Sequence, residues 1–250
     1  METKLNKILL FTPFSQNKDY IILDFINQLE DLYNYYKSDF TINLQILLID
    51  NSTDPNYHKK FINNFSTIKH INPNNREIKY YLAESQEIAR TYAIKNNFDY
   101  IFSLECDIFV QLDILHQFLI AIAEKPEIKV ISAPYFIGLG IGSFILSEAI
   151  DTTVSINQHY IRSYVQPLVN SFIFTNASVK QVYGAGIGCM LISNEVFKKI
   201  KFHVSEIQNG PSDKFFNKDC HNNKIKIFSH TGLQIKHYNS DWSSFVDYKE

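Results

Sequence analysis

Residues 100–104, Tyr-Ile-Phe-Ser-Leu, are apolar at nearly every position and end abruptly in Glu105-Cys106-Asp107. A strand with one wet face alternates apolar and polar residues, whereas a continuous apolar run is the pattern of a strand covered on both faces. Helices packed on the two sides of a mostly parallel sheet supply that cover. The order of the other segments agrees. Apolar runs of strand length at 7–11, 44–49 and 129–133 alternate with stretches at helical spacing at 20–36, 84–97 and 111–124, so the expected class is α/β with a mostly parallel central sheet. Ile21, Phe25, Leu29 and Leu32 share a face of the first helix, and Ile88, Ala89, Tyr92 and Ala93 turn inward from the second.

Local signals refine this order. Asp54-Pro55 reads as a helix start, because Asp accepts from free first-turn amides and Pro gives up an amide that has no partner there. A short extended segment is expected at 78–82, and Pro126 stops the third helix. Residues 138–180 mix Gly, Ser, Thr and Asn with irregular apolar spacing, the composition of an insertion or lid. Regularity returns over 183–192, with a helix near 194–200, a loop through Gly210-Pro211, a short helix from Ser212 and strands near 224–228 and 233–238. No internal repeat or linker interrupts the chain, so one domain is expected, with a nucleotide-binding part at about 1–134 and an acceptor and insertion part at about 135–250.

Composition excludes several functions. With 250 residues, a sizeable core is available without disulfides. Lys+Arg 24 against Asp+Glu 26 leaves no basic excess to neutralise a nucleic-acid backbone. No apolar stretch approaches the ~20 residues of a membrane span, since Pro134 and Glu148 break the longest candidate, and the run 8–11 is too short for a secretory signal. Cys106, Cys189 and Cys220 are odd in number and widely spaced, which suits neither a disulfide framework nor a zinc knuckle. A cytoplasmic protein is expected, and the sequons at Asn51, Asn64 and Asn176 then carry no information.

The chemistry concentrates on Glu105-Cys106-Asp107. In an extended chain residues i and i+2 point the same way, so two carboxylates face one spot at the carboxyl end of a buried strand, where open α/β sheets bind ligands. A hard divalent cation, Mn2+ or Mg2+, takes such oxygens and keeps positions open for phosphates. The alternative is a pair of solvated acids.

Four segments in order, ILLIDNSTD (46–54), AESQEIARTYAIKNNFDYIFSLECD (83–107), YGAGIGCMLISNEVFKKI (183–200) and SDKFF (212–216), resemble the GT-A class of nucleotide-sugar glycosyltransferases, particularly glycosyltransferase family 2. The resemblance covers most of 5–240 apart from the insertion. It implies a single GT-A-like domain that moves a sugar from a nucleotide-diphosphate donor, a UDP-sugar foremost, to an acceptor hydroxyl with inversion. The acceptor class stays open among a glycan, a lipid-linked intermediate, a protein and a modified base.

By that resemblance the loop Phe11-Thr12-Pro13-Phe14 and Asp50 hold the base and ribose. Asp50 is able to accept from a uracil N–H or ribose hydroxyl, or alternatively to cap the amides of Ser52 and Thr53. Arg90 matches a basic position that supports the diphosphate, or else pairs with Glu87 or Glu84. Asp107 takes the position that touches the metal. Glu105 stands where the family's Asp-x-Asp motif has its first Asp, with the reach for ribose or a metal-bound water. Asp213 matches the general base of inverting members, or is a first-turn acid on a helix capped by Ser212. His237 matches a late histidine that completes the metal site, with His230 as a competitor. Gly184, Ala185 and Gly186 match a small-residue turn under the sugars, and Trp242 is a candidate acceptor platform.

Two rival classes remain at this level. Residues 182–188 also look like the glycine loop of S-adenosylmethionine-dependent methyltransferases, although only 62 residues follow Gly188, too few for the rest of that sheet. The dinucleotide fingerprint fails, because Cys189 and Ser143 stand where its third glycine belongs. The other rival is a non-catalytic nucleotide- or carbohydrate-binding module of the same fold.

Overall fold

The computed structural model describes residues 5–137 and 179–238, except 75, 209 and 234, together with 143–144 and 146–148. Most of the stretch 138–180, and Trp242, lie outside the described residues. The elements run in the order β1 (Asn6–Phe14), α1 (Ile22–Lys37), β2 (Ile42–Asp50), β3 (Ser66–His70), α2 (Ile78–Lys95), β4 (Tyr100–Leu104), β5 (Ile108–Phe109), α3 (Ile114–Glu124), β6 (Val130–Ser132), β7 (Phe136–Ile137), β8 (Ser143–Phe144) and β9 (Leu146–Glu148). They continue with β10 (Val179–Ala185), β11 (Cys189–Ser193), α4 (Asn194–Phe197), α5 (Ser212–Asn222), β12 (Ile227–His230) and β13 (Lys236–His237). Single 3-10 segments occupy Gln16–Lys18 and Tyr57–Phe61.

Among the described residues, nine strands form the main sheet in the order β3-β2-β1-β4-β11-β6-β12-β10-β9. Pairings β1–β2, β1–β4, β2–β3 and β6–β12 are parallel, and only β10 and β11 run against the rest. The alternation of β1 explains the layers. Ile8 and Leu10 enter a core shared with Phe25, Leu29 and Leu32 of α1 and with Leu115 and Phe118 of α3. Leu9 and Phe11 point the other way, into a core with Ala89 and Ala93 of α2, Phe197 of α4 and Phe216 of α5. The sheet is thus dry on both faces, as its continuous apolar strands require.

Four local expectations change. The segment 78–82 is the first turn of α2, because burial of Ala83, Gln86, Ala89, Arg90 and Ala93 along one stripe outweighs the strand preference of its aromatic residues. Strand β3 went unpredicted: it is an edge strand that alternates half-buried and exposed residues, and Ser-Thr-Ile-Lys-His carries no apolar alternation. Asp54-Pro55 starts a bend in which Asp54 accepts from the Asn56 amide, and only a 3-10 segment follows. Finally, β1 runs through Phe14, beyond the expected 7–11, so Thr12 and Pro13 lie buried inside the sheet and not in a loop. Proline is tolerated there because pairing with β4 ends at Phe11, leaving Pro13 with one neighbouring strand.

Two polar side chains join the helical layer to the sheet. Gln28, buried on α1, donates from Nε2 to the Ile108 carbonyl (3.1 Å) and accepts the Val110 amide (2.6 Å), so it holds both sides of β5. Beyond α1, Asp39 accepts from the Thr41 hydroxyl and amide (both 2.6 Å) and from the Ile42 amide (3.1 Å), and its other oxygen meets His116 Nε2 at 2.6 Å. Among the described residues, no helix is long and apolar enough to cross a membrane.

Burial pushes the Asp39 pKa up, but the hydrogen bonds from Thr41 and His116 outweigh it and hold the carboxyl below its ordinary value. A depressed pKa contributes stability above the unfolded-state value of about 4, and that contribution is lost as pH falls through the folded value. Urea denaturation at stepped pH is therefore expected to show Asp39→Asn less stable than the parent at neutral pH, with the gap closing below pH ~4.

Candidate functional site

Strand β4 ends at Leu104, and the Ile108 amide folds back onto the Glu105 carbonyl (3.0 Å). The two acids therefore meet through a turn and not through the side-to-side alternation of an extended strand. The Glu105 amide donates to the Gly188 carbonyl (2.8 Å), continuing the β4–β11 pairing one step past Leu104↔Cys189. Strand β13 pairs with β5 so that His237 lies opposite Ile108, and the Tyr238 amide donates to the Asp107 carbonyl (2.8 Å).

These contacts bring Glu105, Asp107 and His237 together, with one ligand atom of each within 4.8 Å of the others. Asp107 is buried, and its Oδ2 lies 3.4 Å from His237 Nε2 and 2.6 Å from Lys18 Nζ. Lys18 also donates to the Tyr20 hydroxyl (3.3 Å), which donates to the Tyr238 carbonyl (3.3 Å). Burial pushes the Asp107 pKa up, but His237 and Lys18 outweigh it and hold the group below the usual carboxylate range. Glu105 moves the opposite way: burial, then the charges of Asp107 and Asp213, push it well above that range. Burial draws the Lys18 pKa down, yet the Asp107 carboxylate more than reverses this.

Two carboxylates and an imidazole form a donor set that fits Mn2+ or Mg2+. The Lys18 ammonium on Asp107 Oδ2 competes with an ion for that oxygen.

Asp213 stands in the first turn of α5, where its Oδ2 accepts from the Ile187 amide (3.1 Å). Burial pushes its pKa up, more than the Ile187 bond draws it down. Tyr135, just past β6, has its hydroxyl on the Gly188 amide (3.1 Å) and its ring edge-on to His237 at 5.3 Å and 86°. Burial, then the charges of Glu105 and Asp213, push the Tyr135 hydroxyl pKa far up, so it is a neutral support for its neighbours. Ile187 and Gly188 thus contact Asp213, Tyr135 and Glu105 through their backbone.

The other expected residues are placed as follows. Gly184 is the penultimate residue of β10 and Gly186 follows that strand, so both lie next to the Ile187–Gly188 turn. Thr12 and Pro13 are covered by the sheet, and Thr12 Oγ1 is buried without a hydrogen-bond partner. Asp50 is fully buried. Its Oδ1 accepts the Ser52 amide (2.8 Å), the capping alternative, and its Oδ2 accepts the His58 amide (3.2 Å). Arg90 is not brought to the cluster. It pairs with Glu87 through Nε (2.7 Å) and Nη2 (2.6 Å) and donates to the Phe197 carbonyl (2.9 Å). Because Ser193 pairs with Tyr100 at the start of β4, Phe197 holds Arg90 toward the end of the sheet away from Glu105. His230 lies on β12, with Nδ1 buried and unpartnered, while His237 is the histidine that meets Asp107.

Sequence reasoning passed over Lys18, Tyr135 and Gly188. Tyr135 carried a usable signal, its position just after an apolar strand, and Gly188 stood within a glycine-rich run; Lys18 carried none. A groove of about 580 Å3 lined by Lys69, Glu84, Glu87, Tyr92 and Phe202 contains none of the clustered residues.

Comparison with solved structures is consistent with this architecture. The mannosyltransferase PcManGT from Pyrobaculum calidifontis, in complex with GDP-Man and Mn2+, is similar at TM-score 0.55 and 11% identity over 94% of this chain and 57% of that one. GalNAc-T7 with UDP, GalNAc and Mn2+ is similar at TM-score 0.53 and 10% identity, over 94% of this chain and 43% of that one. A CMP:2-keto-3-deoxy-manno-octonic acid synthetase complexed with CTP matches at TM-score 0.50 and 11% identity, over 90% and 89%. The chain spans about half the length of the two glycosyltransferases. No protein-family model and no curated protein matches the sequence. At these identities the shared property is the fold, which is of the GT-A type with a mixed, mostly parallel sheet.

A Cβ on Gly188 would stand 2.5 Å from the Tyr135 hydroxyl and 2.8 Å from both Glu105 Cδ and Ile108 Cδ1. Relief requires moving the residues that shape the site. Gly188→Ala is expected to lower stability by about 1–3 kcal/mol, read as a lower urea midpoint at unchanged slope.

Proposed function

We propose that this chain is a metal-dependent glycosyltransferase that moves a sugar from a nucleotide-diphosphate donor, a UDP-sugar foremost, to an acceptor hydroxyl with inversion. The observation that carries the reading is the convergence of Asp107, Glu105 and His237 at the carboxyl end of β4, near enough to Asp213 for its charge to perturb Glu105. The GT-A-type fold and the nucleotide-sugar and Mn2+ complexes among its structural neighbours support it.

In this reading the part up to about residue 134 takes the nucleotide and the remainder takes the acceptor. Asp107 and His237 hold the ion, with Glu105 beside them. Bound Mn2+ or Mg2+ supplies positive charge against the departing diphosphate. Lys18, already paired to Asp107, adds a second cation on the same side. Asp213 takes the proton of the acceptor hydroxyl as that oxygen attacks the anomeric carbon, and burial raises its basicity for the task. The Ile187 amide on Oδ2 orients the carboxylate. Gly184 and Gly186 line the approach with backbone, leaving room for the sugars. The base and ribose rest against the rim beyond Thr12, Pro13 and Phe14, whose side chains lie beneath it. Asp50 acts on this pocket by fixing its own loop. The three cysteines, buried and free, suit a cytoplasmic enzyme.

Calorimetry with UDP-, GDP- and CMP-sugars, with and without Mn2+, tests the donor. Tighter binding of one nucleotide sugar with Mn2+, followed by its cleavage, is expected; S-adenosylmethionine binding instead, or donor binding with no cleavage under any acceptor, would falsify the assignment. Asp107→Asn is expected to abolish Mn2+-dependent cleavage while its circular dichroism matches the parent. Asp213→Asn is expected to lower transfer by about 10²–10⁴-fold with donor affinity retained, and product NMR is expected to show an inverted anomeric centre.

A further inference from the structure

A second group of metal-ligating side chains lies outside this site. Asp50, the last residue of β2, pairs in register with His70, the last residue of β3. The 3-10 segment Tyr57–Phe61 brings His58 over the same point. Asp50 Oδ2 is 3.2 Å from His70 Nδ1 and 3.4 Å from His58 Nδ1, and the two imidazole rings lie nearly parallel, 24° apart with centroids at 5.8 Å.

One nitrogen in this group meets the carboxylate without hydrogen-bonding geometry. His58 Nδ1 is shielded from solvent and has no hydrogen-bond partner. A lone pair there faces a carboxylate oxygen and is repelled, and an N–H there has found no acceptor in bonding geometry. A cation between the three atoms removes the conflict.

The spacing fits such an ion. Zinc bonds of about 2.0–2.2 Å to nitrogen and oxygen in a tetrahedron set the ligand atoms roughly 3.3–3.6 Å apart. The 3.4 Å from Asp50 Oδ2 to His58 Nδ1 lies in that range and the 3.2 Å to His70 Nδ1 falls just short of it, and one ligand atom of each of the three residues lies within 4.8 Å of the others. The carboxylate is already oriented by the Ser52 amide on Oδ1 and the His58 amide on Oδ2, the outer hydrogen bonds that fix a metal ligand. The imidazoles keep 22% and 19% of their side-chain surface exposed, which leaves a way in and a position for water. Two imidazoles and one carboxylate prefer a borderline ion such as Zn2+ over Mg2+ or Ca2+.

We propose that Asp50, His58 and His70 form a second metal site, for a Zn2+-class ion, separate from the Asp107 centre. The ion clamps the loop between β2 and the 3-10 segment onto the end of β3. That loop bonds to the β1–α1 connection, with the Gln16 amide on Ser52 Oγ (3.0 Å) and Gln16 Nε2 on Thr53 Oγ1 (2.9 Å). The same connection carries Lys18 to Asp107, so the ion braces the wall of the site without entering it. The proposal does not depend on sugar transfer.

The test uses the full chain freed of metal by chelator, in an Asp107→Asn background that disables the first centre. One equivalent of Co2+ is expected to give the visible absorption bands of a tetrahedral site, and Zn2+ is expected to displace it and raise the melting temperature. Both signals are expected to be lost in His58→Gln and in His70→Gln, each checked for folding by circular dichroism. X-ray absorption of the Zn2+-loaded chain without either histidine change is expected to show two imidazoles on the metal. Tetrahedral bands that persist in both histidine variants, no Co2+ or Zn2+ uptake in the Asp107→Asn background, or absorption spectra without two imidazoles would each overturn the proposal.

Discussion

The arrangement of the site depends on one backbone hydrogen bond, from the Glu105 amide to the Gly188 carbonyl. It extends the antiparallel β4–β11 ladder past the end of β4, the strand that is dry on both faces, and fixes the Glu105–Ile108 turn against the Ile187–Gly188 turn. Everything nearby takes its position from that junction. Tyr135 reaches it through the Gly188 amide and Asp213 through the Ile187 amide, while β13 delivers His237 on the far side of the turn. A side chain at residue 188 would occupy the space in which these groups meet, so its glycine is a steric requirement of the site.

The electrostatics follow from crowding. Glu105, Asp107 and Asp213 stand near one another with limited access to water, and the protein compensates them unequally. Asp107 receives both local partners, the Lys18 ammonium and the His237 imidazole, and its pKa is held down. Glu105 and Asp213 are pushed toward the protonated form. In the proposed reaction this unequal compensation separates the roles of neighbouring carboxylates, one as an anionic ligand and another as a proton acceptor of raised basicity.

Much of the fold was legible because two-sided burial leaves a mark on each strand. The runs at 7–11, 44–49, 100–104 and 129–133 needed no knowledge of partners to be read as strands. Segments whose state depends on distant contacts were not legible: β3 has polar composition at a sheet edge, and 78–82 became helix when its stripe found a core. The same division runs through the site. Glu105 and Asp107 could be paired because two positions separate them, although a turn and not strand alternation brings them together. Lys18 approaches Asp107 across 89 positions, and His58 and His70 converge on Asp50 through a pairing that no local pattern announced.

Gln28 shows how such a site stays in register. Its carboxamide satisfies the carbonyl of Ile108 and the amide of Val110, which is what a flanking strand would do, and β13 occupies the opposite flank of β5. Helix α1 and β13 therefore clasp the short β5 from its two flanks, and the backbone that carries Ile108 opposite His237 is anchored to the helical layer by a single side chain.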